Sequence, residues 1–274
     1  MGNKIFSSLG YLGLNYEDNI ELYERKEDKD DKEAKYENDK KDTKMDVSAL
    51  LYDKKVTCPI CLKTFNCRVV KAYTPRMKSK DTDAFIRYEG INPYFYEVIV
   101  CPTCGYAALK SDFQKIESYK REVILIKISN QWHGKEYPQV YNEEIAIERY
   151  KLALLNAVLG EFKDSTKATL CLRIAWMYRL LENQEEEIDF LKRALQGFLI
   201  AYENERTPIY GLSRYSLEYL IGELYRRTED YTKAEIWFSK VILSGADQKL
   251  KDRARDMRDL SKKLEHQFDK TVNK

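Results

Sequence analysis

The sequence predicts an α+β protein, mostly α, in which a small β-rich zinc-ribbon-like module precedes a degenerate tetratricopeptide-like α-helical array. Two Cys-Pro-x-Cys pairs, Cys58/Cys61 and Cys101/Cys104, lie among short β-like runs in the first half. After Tyr141 the apolar residues recur with helical spacing, and five of the six Pro residues lie before that point. The change of pattern predicts that the two architectures follow one another along the chain.

The first 50 residues divide into two predicted segments. Residues 1–16 contain a short amphipathic piece, for which we expect a frayed end; docking onto a partner or onto the protein itself is the alternative. Residues 17–50 predict a charged linker without stable structure. Within them, residues 17–46 carry eight Lys/Arg against thirteen Asp/Glu. So charged a segment has too little apolar surface to offset the entropy cost of ordering.

Residues 51–122 predict the zinc-ribbon-like module, which contains a long insert. Candidate strands are 67–73 and 94–100, separated by Pro and Gly turn signals, and residues 105–113 predict a helical turn after the second cysteine pair. Residues 54–122 carry thirteen Lys/Arg against seven Asp/Glu, so this module is basic whereas the preceding segment is acidic.

The two cysteine pairs predict one structural Zn²⁺ ion bound by Cys58, Cys61, Cys101 and Cys104. A tight turn after the first cysteine of each pair points two thiolates at one ion, and Gly105 supplies the unusual φ often needed after a pair. The 39 residues between the pairs exceed the usual spacing. Loop closure nevertheless grows so slowly with length that the excess costs only about 0.7 kcal/mol.

Other cysteine chemistries stay open at this level. A redox dithiol usually begins a helix beside a βαβ unit, a context that both pairs lack, and an iron–sulfur cluster also uses four cysteines. Cys67 is expected to pack in a strand rather than to bind metal, and Cys171 to lie in a helical core. His133 and His266 are isolated, so we expect neither to be a ligand.

Residues 123–142 predict a connector, and residues 143–270 predict the tetratricopeptide-like helical domain. The three segments that align with one another are 146–155, 187–196 and 234–243. In the last unit Gly222 would let two helices approach closely, and Phe238 would fill the angle between them. Residues 247–268 predict a charged capping helix. An ordinary helical bundle is the alternative.

A stack of helix pairs offers a surface on its first helices, and this surface is the predicted site for a protein partner. Arg173, Trp176 and Arg179 share one helix, and Glu223 and Arg226 take the corresponding positions in a later unit. A Trp flanked by two Arg could hold an acidic or aromatic-containing segment. The simpler interpretation is a Trp packed against the next repeat.

Three stretches are similar to a known bacterial family: "LYDKKVTCPICLKTF", "DTDAFIRYEGINPYFYEVIVCPTCGYAALKSDF" and "AIERYKLAL". They resemble the domain-of-unknown-function family 2225, and the likeness extends over most of the chain from about residue 50. The resemblance implies a zinc-ribbon module with tetratricopeptide-like helices. It implies an architecture and not an activity.

Composition and motifs favour a non-catalytic scaffold protein located in the cytoplasm. The chain has two His residues, and it lacks a Gly-rich phosphate loop and a Ser/His/Asp set. No stretch reaches the roughly 20 apolar residues of a membrane span, and the N-terminus does not resemble a signal peptide. We therefore expect protein partners for the helical repeats and the ribbon.

Nucleic-acid binding through the ribbon is the alternative, because basic and aromatic residues interleave there. The residues concerned are Tyr73, Arg76, Lys78, Lys80, Arg87, Tyr88 and Tyr94. A remote alternative is an enzyme that uses carboxylates of the 62–100 insert, namely Asp81, Asp83 and Glu89.

Overall fold

The computed structural model describes residues 5–14, 22–23 and 47–272, with side chains up to residue 267. It confirms an α+β fold that is mostly α: in the described residues, six short strands are followed by seven α-helices. Of the predicted linker, residues 17–50, only residues 22–23 and 47–50 are among the described residues.

The strands form three separate antiparallel pairs. They are β1 (Leu51–Thr57) with β2 (Thr64–Val70), β3 (Arg76–Lys80) with β4 (Ile86–Glu89), and β5 (Val98–Val100) with β6 (Ala107–Leu109). The turn between β1 and β2 contains Cys58 and Cys61, and the turn between β5 and β6 contains Cys101 and Cys104. Strands β3 and β4 belong to the insert between the two cysteine pairs.

One predicted strand is half wrong. Of residues 94–100 only Val98–Val100 is extended, because Pro93–Tyr96 forms a 3₁₀ helix. Asn92 begins this helix: its Oδ1 accepts the Tyr94 N–H at 3.1 Å, and Pro93 has the fixed φ that suits a first helical position. The strong β propensity of the aromatic residues is thus overridden by a local cap.

Two further local predictions need correction. The predicted strand 67–73 runs from Thr64 to Val70. Residues 105–113, predicted as a helical turn, contain strand β6 instead, because Ala107–Leu109 completes the hairpin with β5. All three residues of β6 are buried, so the run reads as apolar without revealing its period.

The helices follow in an order that matches the predicted segments. They are α1 (Ser118–Ile124), continued by a π-turn (Leu125–Ser129), α2 (Glu143–Leu159), α3 (Asp164–Leu180), α4 (Gln184–Asn204), α5 (Arg214–Arg227), α6 (Tyr231–Leu243) and α7 (Gln248–Val272). The aligned segments lie in α2, α4 and α6, and each helix from α2 onward packs against the next. The likeness to tetratricopeptide repeats stays a prediction.

Gly222 acts as its position in the pattern predicts. A Cβ at Gly222 in α5 would lie 3.0 Å from the ring of Phe238 in α6, so the two helices approach at a distance that favours glycine. Phe238 is fully buried there. The largest cluster of buried apolar side chains runs from the cysteine turns through α2 and α3 into α5. The β-rich and helical parts therefore share one core.

The N-terminal segment is docked, so the expectation of a frayed end is wrong. Its apolar residues Ile5, Phe6, Leu9, Leu12 and Leu14 are buried. Ser7–Leu12 forms a 3₁₀ helix that contacts α2. The carbonyl of Leu12 accepts the His133 N–H at 3.1 Å. Leu22 and Tyr23, within the predicted linker, are also buried.

Substituting Gly197 tests this docking. A Cβ at Gly197 in α4 would lie 2.3 Å from the Tyr23 hydroxyl oxygen, so Gly197→Ala should displace Tyr23 and lower the free energy of unfolding by about 1–3 kcal/mol. Urea unfolding measures the loss. In a Tyr23→Ala background the same substitution should cost little, because the space is then free; an undiminished cost there would contradict the assigned contact.

Candidate metal centre and the adjoining helical groove

The two cysteine pairs lie in the turns of two β-hairpins. Cys58 and Cys61 follow β1, and Cys101 and Cys104 follow β5. Strand pairing continues to the edge of each turn, at Thr57 with Thr64 in the first hairpin and at Val100 with Ala107 in the second. The hairpin registers therefore fix where each cysteine pair points.

The backbones of the two turns match. In the first, the Cys58 N–H donates to the Lys63 carbonyl at 2.9 Å, and the Cys58 carbonyl accepts from the Leu62 N–H at 3.0 Å. The second turn repeats both bonds, at 2.8 and 3.0 Å. The residue after the second cysteine has a φ of 60° at Leu62 and 70° at Gly105. The expected role of Gly105 is confirmed, and Leu62 adopts the same conformation with a side chain.

The four thiols converge on one point. The Sγ atoms of Cys58 and Cys104 lie 3.6 Å apart, as do those of Cys61 and Cys101. All four lie within 4.8 Å of one another. Metal–sulfur bonds of about 2.3 Å in a tetrahedron give sulfur–sulfur edges of about 3.8 Å. The donor set fits one tetrahedral metal ion, and four sulfur ligands leave no coordination position for a substrate.

The electrostatics of the four thiols are compatible with a bound cation. Hydrogen bonds from Cys104 and Cys58 hold the pKa of the Cys101 thiol far below its usual range. Hydrogen bonding to Cys101 in turn raises the pKa of Cys104 and of Cys58. Several thiolates at these distances repel one another. A coordinated divalent ion removes this conflict because its own charge stabilises the thiolates.

Trp132 and Asn156 support the second turn from outside. Trp132 Nε1 donates to the Pro102 carbonyl at 2.8 Å, and Asn156 Nδ2 in α2 donates to the Gly105 carbonyl at 3.3 Å. Asn156 is fully buried. These bonds connect the metal centre to the helical body. Neither residue was predicted, because nothing local marks a partner 30 or 51 positions away.

Substitutions of the residues after the two cysteine pairs should differ in their effect on stability. A Cβ at Gly105 would lie 2.7 Å from the Trp132 ring at a φ of 70°, so Gly105→Ala should destabilise the protein by about 2–4 kcal/mol. Leu62 is 72% exposed, so Leu62→Gly relieves strain and stays within about 1 kcal/mol of wild type. Urea unfolding of the metal-loaded variants compares their stabilities. A Gly105→Ala protein as stable as wild type would contradict the geometry.

The other cysteines and both histidines lie apart from the thiol group. Cys67 is buried in β2 and Cys171 in α3, and burial raises the pKa of each. His133 and His266 are exposed. Within the described residues, no second group of His, Cys, Asp and Glu side chains is close enough to bind a metal ion.

Four of the five residues predicted to bind a partner contact the chain's own insert, and the fifth, Arg226, pairs with Glu223 on the same helix. We call the surface of α3 and α5 that carries them, together with Arg227, the helical groove, and residues 81–85 between β3 and β4 the insert tip. The tip lies in the helical groove. A segment of this protein therefore lies against the helix positions at which a partner is predicted to bind.

Asp83 is the centre of this contact. Arg179 donates to its two carboxylate oxygens at 2.6 and 3.0 Å, and Trp176 Nε1 donates to it at 3.0 Å. The ring of Phe85 stacks on Trp176 with centroids 5.1 Å apart. Burial alone would raise the pKa of Asp83, but the hydrogen bonds and charge of Arg179 outweigh it and lower that pKa.

The other groove residues complete the network. Glu223 is fully buried and accepts from Arg226 at 2.6 Å, from Arg227 at 2.8 Å and from the hydroxyl of Thr82. Arg173 donates to Glu97 at 2.8 Å, and its guanidinium lies 4.3 Å from the Trp176 ring centroid. Every predicted groove residue therefore has a partner inside the chain.

A family model agrees with this architecture. The model of the family described as an uncharacterized protein conserved in bacteria (DUF2225) matches residues 51–261. The chain belongs to this family. Searches of curated proteins and of solved structures gave no match. The match spans both cysteine turns, the insert and the helices, so the predicted resemblance is confirmed, and it carries no activity with it.

In this DUF2225 protein the seven residues of the nucleic-acid alternative divide into two groups. Arg76, Lys78 and Lys80 are exposed on β3, and Tyr73 before them is fully exposed. The other three lie in internal contacts, which are the ion pair of Arg87 with Asp81, the packing of Tyr88 on Tyr94, and the burial of Tyr94 against Trp176. These four exposed residues lie on β3 and on the segment before it, and the register shift between Met77 and Ser79 places Arg76 and Lys80 on opposite faces of the strand.

Two of the three insert carboxylates of the remote enzyme alternative have structural partners. Asp81 binds Arg87 and Arg179, and Asp83 binds Arg179. Glu89 is exposed at the end of β4. A buried carboxylate with a lowered pKa is a poor proton donor or acceptor near neutral pH. This arrangement gives acid–base catalysis no support.

No helix in the described part of this DUF2225 chain has the length and apolar character needed to cross a membrane.

Proposed function

We propose that this protein is a non-catalytic zinc-binding scaffold whose helical groove binds a protein partner. The observation that carries the proposal is that the helical groove holds an acidic, aromatic-containing segment through matched charges and ring stacking. This is the kind of segment expected for a Trp flanked by arginines. A scaffold protein acts by binding its partner at a complementary surface, and this function requires no catalytic residues.

Zinc is the proposed ion, in a structural role. The residues that would hold it are Cys58, Cys61, Cys101 and Cys104, whose 3.6 Å contacts suit one ion rather than a cluster, which would push the thiols apart. When bound, the ion would cross-link the two hairpins, and it would have no free coordination position for a substrate. Elemental analysis should find one zinc per chain and no visible absorption band of iron. Iron in place of zinc would overturn this assignment.

Affinity capture from the native cell tests the scaffold role. The bait is the full chain, compared with Arg227→Gln, which changes the edge of the helical groove where the side chain is 21% exposed. The expected result is a specific protein that withstands nuclease treatment and is reduced with the Arg227→Gln bait. Equal recovery by both baits would contradict a partner at the helical groove.

Nucleic-acid binding is the second candidate, and the exposed basic side chains of β3 favour it. Arg76, Lys78 and Lys80 would contact phosphates and Tyr73 would stack on a base. Single-stranded RNA and DNA should then bind at about 50 mM salt and dissociate as salt rises. A triple Gln variant of the three basic residues should lose this binding. Absence of binding by the wild-type protein at low salt would reject this candidate.

A further inference from the structure

The insert tip defines what the helical groove can recognise. It supplies two carboxylates, Asp81 and Asp83, and one aromatic ring, Phe85. Both carboxylates bind Arg179, at 2.9 and 2.6 Å. Asp83 and Phe85 are fully buried, whereas Asp81 stays half-buried at the edge. The spacing of these groups, acidic–x–acidic–x–aromatic, is thus matched by the groove side chains.

The helices alone carry more positive than negative charge at this surface. The charged helix side chains that bind the insert, or bind one another beneath it, are Arg173, Arg179, Arg226, Arg227, Glu187 and Glu223. Four arginines face two glutamates, and acidic groups of the insert supply the balance. Because buried charge is costly without a partner, an occupant that replaces the tip must also be acidic.

The insert tip lies at the end of a hairpin arm, which is formed by β3 and β4 (residues 76–89). Few contacts other than those of the tip hold this arm in place. All five residues of β3 are exposed, and Tyr73, before the arm, is fully exposed. Gly90, after the arm, has a φ of 76°, a conformation that glycine adopts without strain. The arm is therefore secured mainly at its tip and along one side of β4.

An open cleft lies beside the helical groove, between the start of α4, the end of α5 and the start of α6. It has a volume of about 390 Å³ and shares three side chains with the network beneath the tip, Glu187, Arg226 and Arg227. Ile188, Leu191 and Tyr231 add apolar surface to its wall. Glu182 and Glu229 also line the cleft, so it offers a longer peptide open space beside Arg226 and Arg227 but no net positive charge.

We propose that the helical groove binds a partner segment with two acidic residues and an aromatic residue at the spacing of Asp81, Asp83 and Phe85, and that this segment replaces the insert tip. The inference rests on the proposed scaffold function and names the partner chemistry at the same surface. The tip then lowers the apparent affinity for the partner, because only molecules with a free groove are competent to bind.

A labelled peptide with the sequence of residues 80–86, blocked at both ends, tests the exchange. The full-length double variant Asp81→Asn/Asp83→Asn weakens the tip while keeping its shape. This variant should bind the peptide at least tenfold more tightly than the wild-type protein does, as measured by fluorescence anisotropy. A control peptide with Asn at both acidic positions should bind at least tenfold more weakly.

Circular dichroism and bound zinc establish that the double variant is folded. If it does not fold, Thr82→Ala carries the test, because it removes the hydroxyl that contacts Glu223 and Arg227 and keeps both tip charges. Thr82→Ala should also bind the peptide more tightly than wild type. A folded variant that binds neither peptide at about 1 mM, or both equally, overturns the inference.

The outcome is separable from that of the scaffold proposal. If the peptide does not bind but the Arg227→Gln bait loses a captured protein, the exchange fails and the scaffold function stands. If the peptide binds and no captured protein depends on Arg227, the helical groove recognises acidic segments without the proposed cellular partner. Full peptide binding by an Arg227→Gln form of the tip-weakened variant would exclude the open cleft from the recognition.

Discussion

Replacing Cys101 by Ser should abolish metal binding and unfold the β-rich part of the protein. The remaining three thiols cannot complete a tetrahedral site, and structural zinc contributes on the order of 10–16 kcal/mol in small zinc-dependent folds. Because the β-rich part shares its core with α2 and α3, the helices should lose stability with it. We expect a loss of at least about 5 kcal/mol, or about 10–20 °C in Tm.

Elemental analysis and thermal unfolding followed by circular dichroism measure these effects. Cys67→Ala is the matched control: Cys67 is a buried cysteine of the same module and lies outside the thiol group, so this variant should keep one metal ion per chain. A chelator should reproduce the effect of Cys101→Ser on the wild-type protein. A Cys101→Ser variant that keeps both its metal and its Tm would contradict the four-thiol site.

The metal centre could be predicted because its information is local. Each turn needs two cysteines three positions apart and a residue of positive φ directly after them, and all these features lie within a few residues. Only the positive φ in the first turn could not be predicted, because Leu62 takes the position that Gly105 takes in the second turn. The supporting bonds of Trp132 and Asn156 depend on how α2 packs, which no local pattern specifies.

The helical groove shows where prediction from sequence stops. Helical periodicity predicted the helices that carry these residues and the Gly222–Phe238 contact between two of them. The sequence could not identify the occupant of the helical groove. Arg179 and Asp83 are separated by 96 positions, and either residue alone resembles a solvent-exposed charge. The expectation of a frayed end also failed at Leu9 and Leu12, whose docking depends on a surface formed by distant residues.

Substituting Asp83 by Ala should lower the free energy of unfolding by about 3–5 kcal/mol, because it leaves Arg179 buried without its closest partner. The side chain of Arg179 is 8% exposed and that of Asp83 is fully buried, so water cannot replace the lost contacts. Arg179→Met should cost a similar amount. The double variant should be at least about 1 kcal/mol more stable than the sum of the single losses implies.

Urea unfolding of the four proteins completes this cycle, and Asp53→Ala provides the control. Asp53 pairs with Arg68 at 3.3 Å on the surface with its side chain 46% exposed, so its loss should cost less than about 1 kcal/mol. The pH dependence gives a second readout. Since the folded pKa of Asp83 lies below its ordinary value of 3.8, the stabilisation is complete above that pH and disappears as the pH falls below it. Asp83→Ala should lose this acid sensitivity; if both proteins lose stability equally on acidification, Asp83 does not anchor the tip as an ion pair.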